Sequence, residues 1–288
     1  IIDVFLQKKA NQTMQDITIP LYTNNEFPQK DDGTLFHFTS AESFFKILED
    51  LTLKVSSFQK LNDLNEGNIH NFDINANFEI MNEAQKIINE QCSTISFSKN
   101  YLVNGRCIRG TNHPAMWAHY ANNSDGVCIV IDKNKFMTMN NKILKKYFHK
   151  FEDIEYSFKN SVEDSILITN TNSPEKFIQT NYKHLFFRKH IDWEHEGEHR
   201  LFLMGYTGKF NIKGCIKYIV LGAKFCQNND RMEKLTNTIF DNQSVCYQYF
   251  SPHSFAFMSY HRSGYIILDC AHKIKEYLSK SPNISFKK

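Results

Sequence analysis

Several features are scarce or missing in this sequence of 288 residues, and each absence narrows the class of protein. No apolar run is long enough to span a bilayer. No secretion signal opens the sequence, but this absence carries little weight because the sequence begins with Ile1 rather than methionine. The seven cysteines are odd in number and scattered, and none forms a Cys-x-x-Cys pair, which is typical of reduced thiols. We therefore predict a cytoplasmic protein that makes no membrane contact.

The sequence also lacks a large excess of either charge. Its 34 basic and 31 acidic residues leave a net charge of +3, which does not by itself argue for nucleic-acid binding. Hydrophobic residues make up 41% of the chain, enough for a buried core, and neither an internal repeat nor a Pro/Ser-rich linker interrupts it. We predict a single α+β domain over residues 1–288, with an N-terminal helical arm at 1–30 and a core at 31–288.

The segment Trp193–Leu201, with the sequence Trp-Glu-His-Glu-Gly-Glu-His-Arg-Leu, permits two incompatible interpretations. In a helix, His195-Glu196-x-x-His199 is the zinc-protease pattern, with two imidazoles on one face and a general-base carboxylate between them. In a strand, the acids and the arginine alternate along one face instead. The function assigned to the protein depends on which geometry the segment adopts.

The local sequence favours the strand. Gly197 at the centre of a helix would cost about 1 kcal/mol relative to alanine, and the apolar run that begins at Leu201 has the short length of a buried strand. Glu196, Glu198 and Arg200 would then share one face, and the two histidines would stand about 13 Å apart, too far to share a metal. We therefore predict a strand over residues 196–202, preceded by a long helix over 174–190.

Three other clusters combine polar tips with aromatic rings: His37-Phe38-Thr39, Ser96-Phe97-Ser98 and Trp117-Ala118-His119-Tyr120. The first ends a predicted strand at a helix N-terminus, where free N–H groups favour an anionic ligand and the histidine can bond a sugar hydroxyl. The serines can orient a neighbouring acid, and the third cluster suits the stacking of a flat ring. Ordinary core packing or a strand edge is the alternative explanation for each cluster when it is taken alone.

In combination these motifs resemble a bacterial family catalogued as domain of unknown function 2971. That family has His-Tyr-Thr, then Asn-Asp-x-x-Glu, then Trp-x-His-Tyr with a following Gly, then Glu-x-Glu-Trp-Arg. The corresponding residues of this sequence are His37-Phe38-Thr39, Asn62-Asp63-Leu64-Asn65-Glu66, Trp117-Ala118-His119-Tyr120 with Gly126, and Glu196-Gly197-Glu198-His199-Arg200. The resemblance covers about Leu35 to Met204 and supports the strand, because the family usually has aromatic residues at the two histidine positions.

The family pattern is in turn similar to the ADP-ribosyltransferase superfamily. This resemblance implies a split mixed β-sheet core with peripheral helices, NAD as the substrate and no metal. By position, His37 corresponds to the first-motif histidine, Tyr120 to the stacking tyrosine and Glu198 to the catalytic acid. Two departures stand out: the His-Phe-Thr motif lacks the glycine usual in the polymerase-type enzymes, and the tyrosine belongs to an unusual Trp-x-His-Tyr helix.

The implied chemistry is cleavage of the nicotinamide glycosidic bond, which develops positive charge on the ribose. Glu198 would stabilise that charge as carboxylates do in glycoside cleavage. Glu196 would orient or deprotonate the acceptor, Arg200 would hold the acids or contact a phosphate, and His37 would fix the ribose or the nicotinamide amide. The residues expected to bind NAD are His37, Phe38, Thr39, Ser96, Ser98, Trp117, His119, Tyr120 and Arg200.

The expected function is therefore that of an NAD-dependent ADP-ribosyltransferase or NAD glycohydrolase. It would transfer ADP-ribose to an intracellular acceptor, protein or nucleic acid, and act as a bacterial toxin or antiphage effector. Two alternatives stay open: a non-catalytic sensor of NAD or ADP-ribose, and a zinc metallopeptidase that uses His195 and His199. Nicotinamide release separates the first alternative from the transferase, and metal content separates the second.

Overall fold

The computed structural model describes residues 33–63, 65–69, 78–103, 106–108, 110–158, 171–222, 224–225, 228, 230–231, 233–235, 257–261 and 264–268. The chain divides into two compact units, residues 1–32 and 33–288, and every described residue belongs to the second unit. The helical arm predicted at 1–30 lies outside the described residues.

The described part of the chain is a mixed α+β fold built on a large, mostly antiparallel sheet. Its strands are β1 (Thr34–Thr39), β2 (Thr52–Lys54), β3 (Ser56–Ser57), β4 (Cys92–Ser98), β5 (Tyr101–Val103), β6 (Arg106–Ile108), β7 (Val127–Asp132), β8 (Phe148–Asp153), β9 (Glu155–Ser157), β10 (Arg188–His190), β11 (Glu198–Met204), β12 (Lys209–Asn211), β13 (Ile216–Leu221), β14 (Phe257–His261) and β15 (Gly264–Leu268). The large sheet has the order β15-β14-β13-β7-β1-β4-β11-β8, and β3 also pairs with β4. Smaller ladders join β9 to β10, β2 to β12 and β5 to β6.

The described helices differ in how they begin, and only some of them have a side-chain cap. They are α1 (Ala41–Asp50), α2 (Phe78–Gln91), α3 (Pro114–His119), α4 (Lys133–Met139), α5 (Asn141–Lys146) and α6 (Pro174–Phe186). The side chains of Ser40, Asp132 and Ser173 accept hydrogen bonds from the first-turn N–H groups of α1, α4 and α6. No helix in the described ranges is long and apolar enough to cross a bilayer.

Helices cover both faces of the sheet. One face, here called the α1 face, packs Leu35, Ile129 and Leu201 against α1, α4 and α5. The opposite face, the α6 face, packs Phe202 against α2 and α6, and packs Phe36 and Val130 against α3. Because side chains alternate along a strand, each residue of β11 can be assigned to one of the two faces.

The sheet divides between β1 and β4. β1 pairs with β7 along its whole length but pairs with β4 only at Phe36 and Ser98, while β3 pairs with β4 farther along. The His37 Nδ1 atom lies 3.3 Å from the Ser96 carbonyl oxygen. This side-chain contact joins β1 to β4 at a position where a regular ladder would have a backbone hydrogen bond. The sheet therefore has two parts that meet through one residue pair.

The sequence predictions for the segment around Gly197 are mostly confirmed. A strand follows Gly197, but it covers Glu198–Met204, so the placement of Glu196 in that strand is wrong. Glu196 instead ends a 3-10 turn over Ile191–Glu196, and Gly197, with a φ of 50°, turns the chain into β11. The predicted helix over 174–190 stops at Phe186, because the next residues form β10 and pair with β9.

Candidate functional site

Five charged side chains lie buried together on the α6 face, where β11 begins. They are Glu66, Lys189, Glu196, Glu198 and Arg200, and we call them the ionic cluster. Each of these side chains is at most 7% exposed. Burying five charges is expensive unless they are paired closely with one another. The geometry of the pairing therefore determines what the cluster can do.

Arg200 is the centre of the cluster. Its Nε and Nη2 atoms lie 2.7 and 2.9 Å from the two carboxylate oxygens of Glu198, in a bidentate pair. Its Nη1 atom donates to Glu66 and, at 2.7 Å, to the Phe186 carbonyl. Of the two roles expected for Arg200, the geometry fits that of holding the acids, because its side chain is only 1% exposed.

Lys189 joins the three acids. Its Nζ atom lies 2.7 Å from Glu196, 2.8 Å from Glu198 and 3.1 Å from Glu66. The same ammonium stands 5.5 Å from the centre of the Trp193 ring, a cation–π distance. Lys189 reaches this position from β10, the strand that replaces the end of the predicted helix.

The cluster contains three carboxylates and two cations, so its net charge is −1 when all five groups are ionised. Burial raises the pKa of Glu198, but the charges of Arg200 and Lys189 outweigh burial and hold this pKa at about 2. For Glu66 burial prevails over the same two cations, and its pKa is raised above the ordinary value. Glu198 is therefore a permanent anion at neutral pH, and the cluster has one carboxylate more than its cations can balance.

The cluster approaches the surface through Glu196 and Tyr120. The Tyr120 hydroxyl donates a short hydrogen bond to Glu196 Oε1, and Asn62 Nδ2 donates to the Tyr120 oxygen at 3.1 Å. Tyr120 is half-buried and Asn62 is exposed. Burial and the Glu196 charge raise the pKa of Tyr120, so the phenol keeps its proton. Of the three acids, Glu196 is the one whose carboxylate contacts a partly exposed side chain.

Two further groups fix the backbone on either side of Gly197. The Ser98 hydroxyl donates to the Glu196 carbonyl at 2.7 Å, and the Glu198 N–H donates to the Tyr156 hydroxyl at 2.9 Å. These bonds hold the turn that directs Glu196 and Glu198 toward the same lysine.

The other expected NAD-binding residues divide into buried and exposed ones. Phe38 and Trp117 pack edge to face at 5.1 Å within the core, and Thr39 is buried at the end of β1. Ser96 and His119 are exposed. A Cβ at the motif glycine, Gly126, would collide with the Thr39 carbonyl, which explains a glycine at that position. Aromatic core packing therefore accounts for Phe38 and Trp117.

The structure separates His37 from the other expected catalytic residues. Phe36 faces Ser98 and Ser98 faces Glu198, so these three side chains share the α6 face. His37, the next residue along β1, points to the α1 face and contacts Phe97 at 5.8 Å. Burial lowers its pKa, so the imidazole is neutral at pH 7. A single cleft lined by His37, Tyr120 and Glu198 is therefore not formed, although Tyr120 and Glu198 meet through Glu196 and Lys189.

The two histidines of the zinc-protease pattern also lie apart. His195 belongs to the 3-10 turn, where its Nδ1 atom lies 2.8 Å from the Asp192 carbonyl. His199 lies on the α1 face, with Nδ1 2.5 Å from Asp153 Oδ1. The helix that this hypothesis requires is absent from the segment, and among the described residues no group of three or more His, Cys, Asp or Glu side chains is arranged to hold a metal ion.

The fold and the cluster together define an α+β protein with a buried set of paired charges at one strand end. A model of the family described as "Protein of unknown function (DUF2971)" matches residues 116–201 of this chain. The match supports the resemblance to that family, and the matched segment includes Tyr120, Lys189, Glu196, Glu198 and Arg200. Comparisons with curated proteins and with solved structures gave no match.

Four residues of the site were not assigned a role from the sequence: Asn62, Glu66, Tyr156 and Lys189. Asn62 and Glu66 are the first and last residues of the Asn-Asp-x-x-Glu motif, so this motif could have assigned both residues to the site. Lys189 and Tyr156 belong to no motif. Their positions follow from the pairing of β10 with β9, which is a contact between distant parts of the chain.

Proposed function

We propose that the protein is an NAD-dependent ADP-ribosyltransferase or NAD glycohydrolase whose reacting carboxylate is Glu196. The observation that carries the proposal is the excess of one carboxylate in the ionic cluster. Glu196 is the acid whose carboxylate contacts the half-buried Tyr120, so the cluster approaches the surface through this residue. The expected role of Glu198 passes to Glu196, because Glu198 is bonded to both cations of the cluster, whereas Glu196 is bonded to Lys189 alone and its other oxygen accepts from the Tyr120 hydroxyl.

A site of this kind suits the cleavage of the nicotinamide glycosidic bond. The bond breaks through an oxocarbenium-like transition state, and a fixed negative charge in a place shielded from water stabilises that state strongly. Lys189 and Arg200 hold the acids in position, so the charge needs no rearrangement when the bond breaks. The nicotinamide leaves with the bonding electron pair, and the ribose carbon is then attacked by water or by an acceptor.

Tyr120 is proposed to stack on a ring of NAD. Its hydroxyl is held by Glu196 and Asn62, which fixes the orientation of the aromatic face. The gap between β1 and β4 supports the similarity to the ADP-ribosyltransferase sheet, which is also split. His37 lies on the α1 face, opposite to Glu196, so it is left out of the proposed site.

Nicotinamide release by the purified protein tests the proposal. Glu196→Gln should bind NAD with nearly unchanged affinity but release nicotinamide about a hundred- to a thousand-fold more slowly, because glutamine lacks the charge needed in the transition state. Glu194→Gln is the matched control, since this exposed acid lies in the same turn, and it should behave as the wild type. Wild-type protein that binds NAD without releasing nicotinamide would contradict the proposal.

That contradicting result would favour a non-catalytic sensor of NAD or ADP-ribose. The observation that favours the sensor is that Glu198, the acid aligned with the catalytic position, is fully paired with cations.

Under the enzymatic proposal the acceptor is a macromolecule in the same compartment, and the protein acts as a toxin or antiphage effector. Expression of wild type beside Glu196→Gln, with and without phage challenge, tests this role through the difference in cell survival.

A further inference from the structure

The segment 133–150 carries an unusual concentration of positive charge. It contains six lysines, Lys133, Lys135, Lys142, Lys145, Lys146 and Lys150, and no acidic residue. The whole chain has 34 basic and 31 acidic residues, so without these six lysines the rest of the chain has 28 basic residues against 31 acidic ones, a net charge of −3. The positive excess of the protein is therefore located in this one segment.

The fold turns these lysines outward. α4 and α5 bury Phe136 and Leu144 against the core of the α1 face, while Lys135, Lys142 and Lys145 are exposed on the other side of the two helices. Lys146 is exposed as well, and Lys133 and Lys150 are partly exposed. The five lysines of α4 and α5 form the surface that we call the lysine surface. Lys150 lies opposite Phe202 on β8 and near Tyr182, so it points to the α6 face and is not part of this surface.

These lysines have no acidic partners within the described residues. Lys46, Lys99 and Lys209 each pair with a carboxylate at 2.5 to 2.6 Å, whereas none of the six forms an ion pair. Lys133 and Lys150 instead lie over aromatic rings, at 4.9 Å from Phe151 and 4.7 Å from Tyr182. Their charges remain uncompensated, so the surface attracts anions over a distance set by the salt concentration.

We propose that the lysine surface binds the sugar–phosphate backbone of a nucleic acid. Phosphate contacts of this kind come from lysine together with short polar side chains, and Asn134, Thr138 and Asn141 are exposed between the lysines. A backbone reader of this type has little sequence preference. The binding does not depend on the proposed NAD chemistry, because the lysine surface lies with α4 and α5 on the α1 face, away from the ionic cluster.

Membrane binding and the protection of a sheet edge fit the lysine surface less well. Helices that lie on anionic membranes also expose large apolar side chains, but α4 and α5 bury theirs, and Met139 is the one large apolar residue that they expose among those described. Lysines also protect the edge strands of sheets from pairing. That reason applies to Lys150 on the edge strand β8, but not to the lysines of the two helices.

Fluorescence anisotropy with a labelled RNA oligonucleotide and a labelled DNA duplex tests the proposal on the full chain. The triple variant Lys142→Gln/Lys145→Gln/Lys146→Gln should bind at least about tenfold more weakly than wild type at low salt. The slope of log K against log salt should also become shallower by about 3, or about one unit for each lost phosphate contact. Comparing RNA with DNA identifies which nucleic acid binds more tightly.

The control variant removes the same charge elsewhere. Lys60→Gln/Lys86→Gln/Lys176→Gln changes three exposed lysines on other elements, and it should bind as the wild type does. Equal weakening by both variants would overturn the proposal in favour of a net-charge effect. Absence of wild-type binding to either probe at low salt would also overturn it, as would tighter binding to phosphatidylserine vesicles than to both nucleic acids. Thermal melts of the two variants confirm that both are folded.

Discussion

The ionic cluster and the lysine surface use the same kinds of side chain in opposite ways. In the cluster, Lys189 and Arg200 are buried, and each contacts two or more acids at 3.1 Å or less. On the lysine surface, five ammonium groups lie at the protein surface without acidic partners among the described residues. A charge of the first kind is held by specific bonds and is insensitive to salt, whereas a charge of the second kind acts at a distance and is screened.

The largest expected effect breaks the buried pairing. Arg200→Met leaves Glu198 and Glu66 without their shared guanidinium, so we expect the free energy of unfolding to fall by about 3–5 kcal/mol. Urea unfolding measures this change. Lys46→Met, which breaks the exposed pair with Glu42, is the comparison variant and should unfold at the wild-type urea concentration. An Arg200→Met protein as stable as Lys46→Met would show that the buried pairs contribute nothing specific.

The next effect concerns acid pH. The pKa of Glu198 is lowered from 4.5 to about 2, so its contribution to stability is fully present above pH 4.5 and is lost as pH falls toward 2. The contribution is on the order of 3 kcal/mol. Thermal melts of wild type and Glu198→Gln across this range should therefore differ most near pH 5 and converge near pH 2. A difference independent of pH would mean that Glu198 is not ionised in the folded protein.

The smallest expected effect concerns the stability of the lysine surface. The Lys142→Gln/Lys145→Gln/Lys146→Gln variant should change the free energy of unfolding by no more than about 0.5 kcal/mol, because exposed lysines without partners contribute little to folding. Melts at low and high salt provide the measurement. A large loss of stability in this variant would erase the distinction between the two regions, since these lysines would then be structural.

Local signals explain which parts of the fold the sequence predicted. The strand after Gly197 and the start of the helix at Pro174, which follows the capping residue Ser173, were predicted from such signals. Gly197 indicated the strand that follows it, but the 3-10 turn before it has no comparable signal. The end of α6 depends on the pairing of Arg188 with Glu155, a contact between distant segments that local patterns do not contain.

The candidate site was predicted in part for the same reason. The Glu-x-Glu-x-Arg row placed Glu198 and Arg200 on one face correctly, because alternation along a strand is local. Glu66 lies 134 positions from Arg200 in the sequence. The only sequence signal for Glu66 was the Asn-Asp-x-x-Glu motif of the resembling family. The face on which His37 lies depends on its register against β4, so it could not be assigned from β1 alone.

The most direct test of the proposed reaction compares nicotinamide release by Glu196→Gln and Glu198→Gln at saturating NAD, at a temperature where both variants are folded. We expect Glu196→Gln to melt closer to wild type but to lose about a hundred- to a thousand-fold in kcat, since its charge acts on the transition state. Glu198→Gln should instead lose stability first, because its carboxylate pairs with Arg200 and Lys189. A Glu198→Gln protein that melts normally and has no activity, beside a fully active Glu196→Gln protein, would contradict the assignment of Glu196 as the reacting carboxylate.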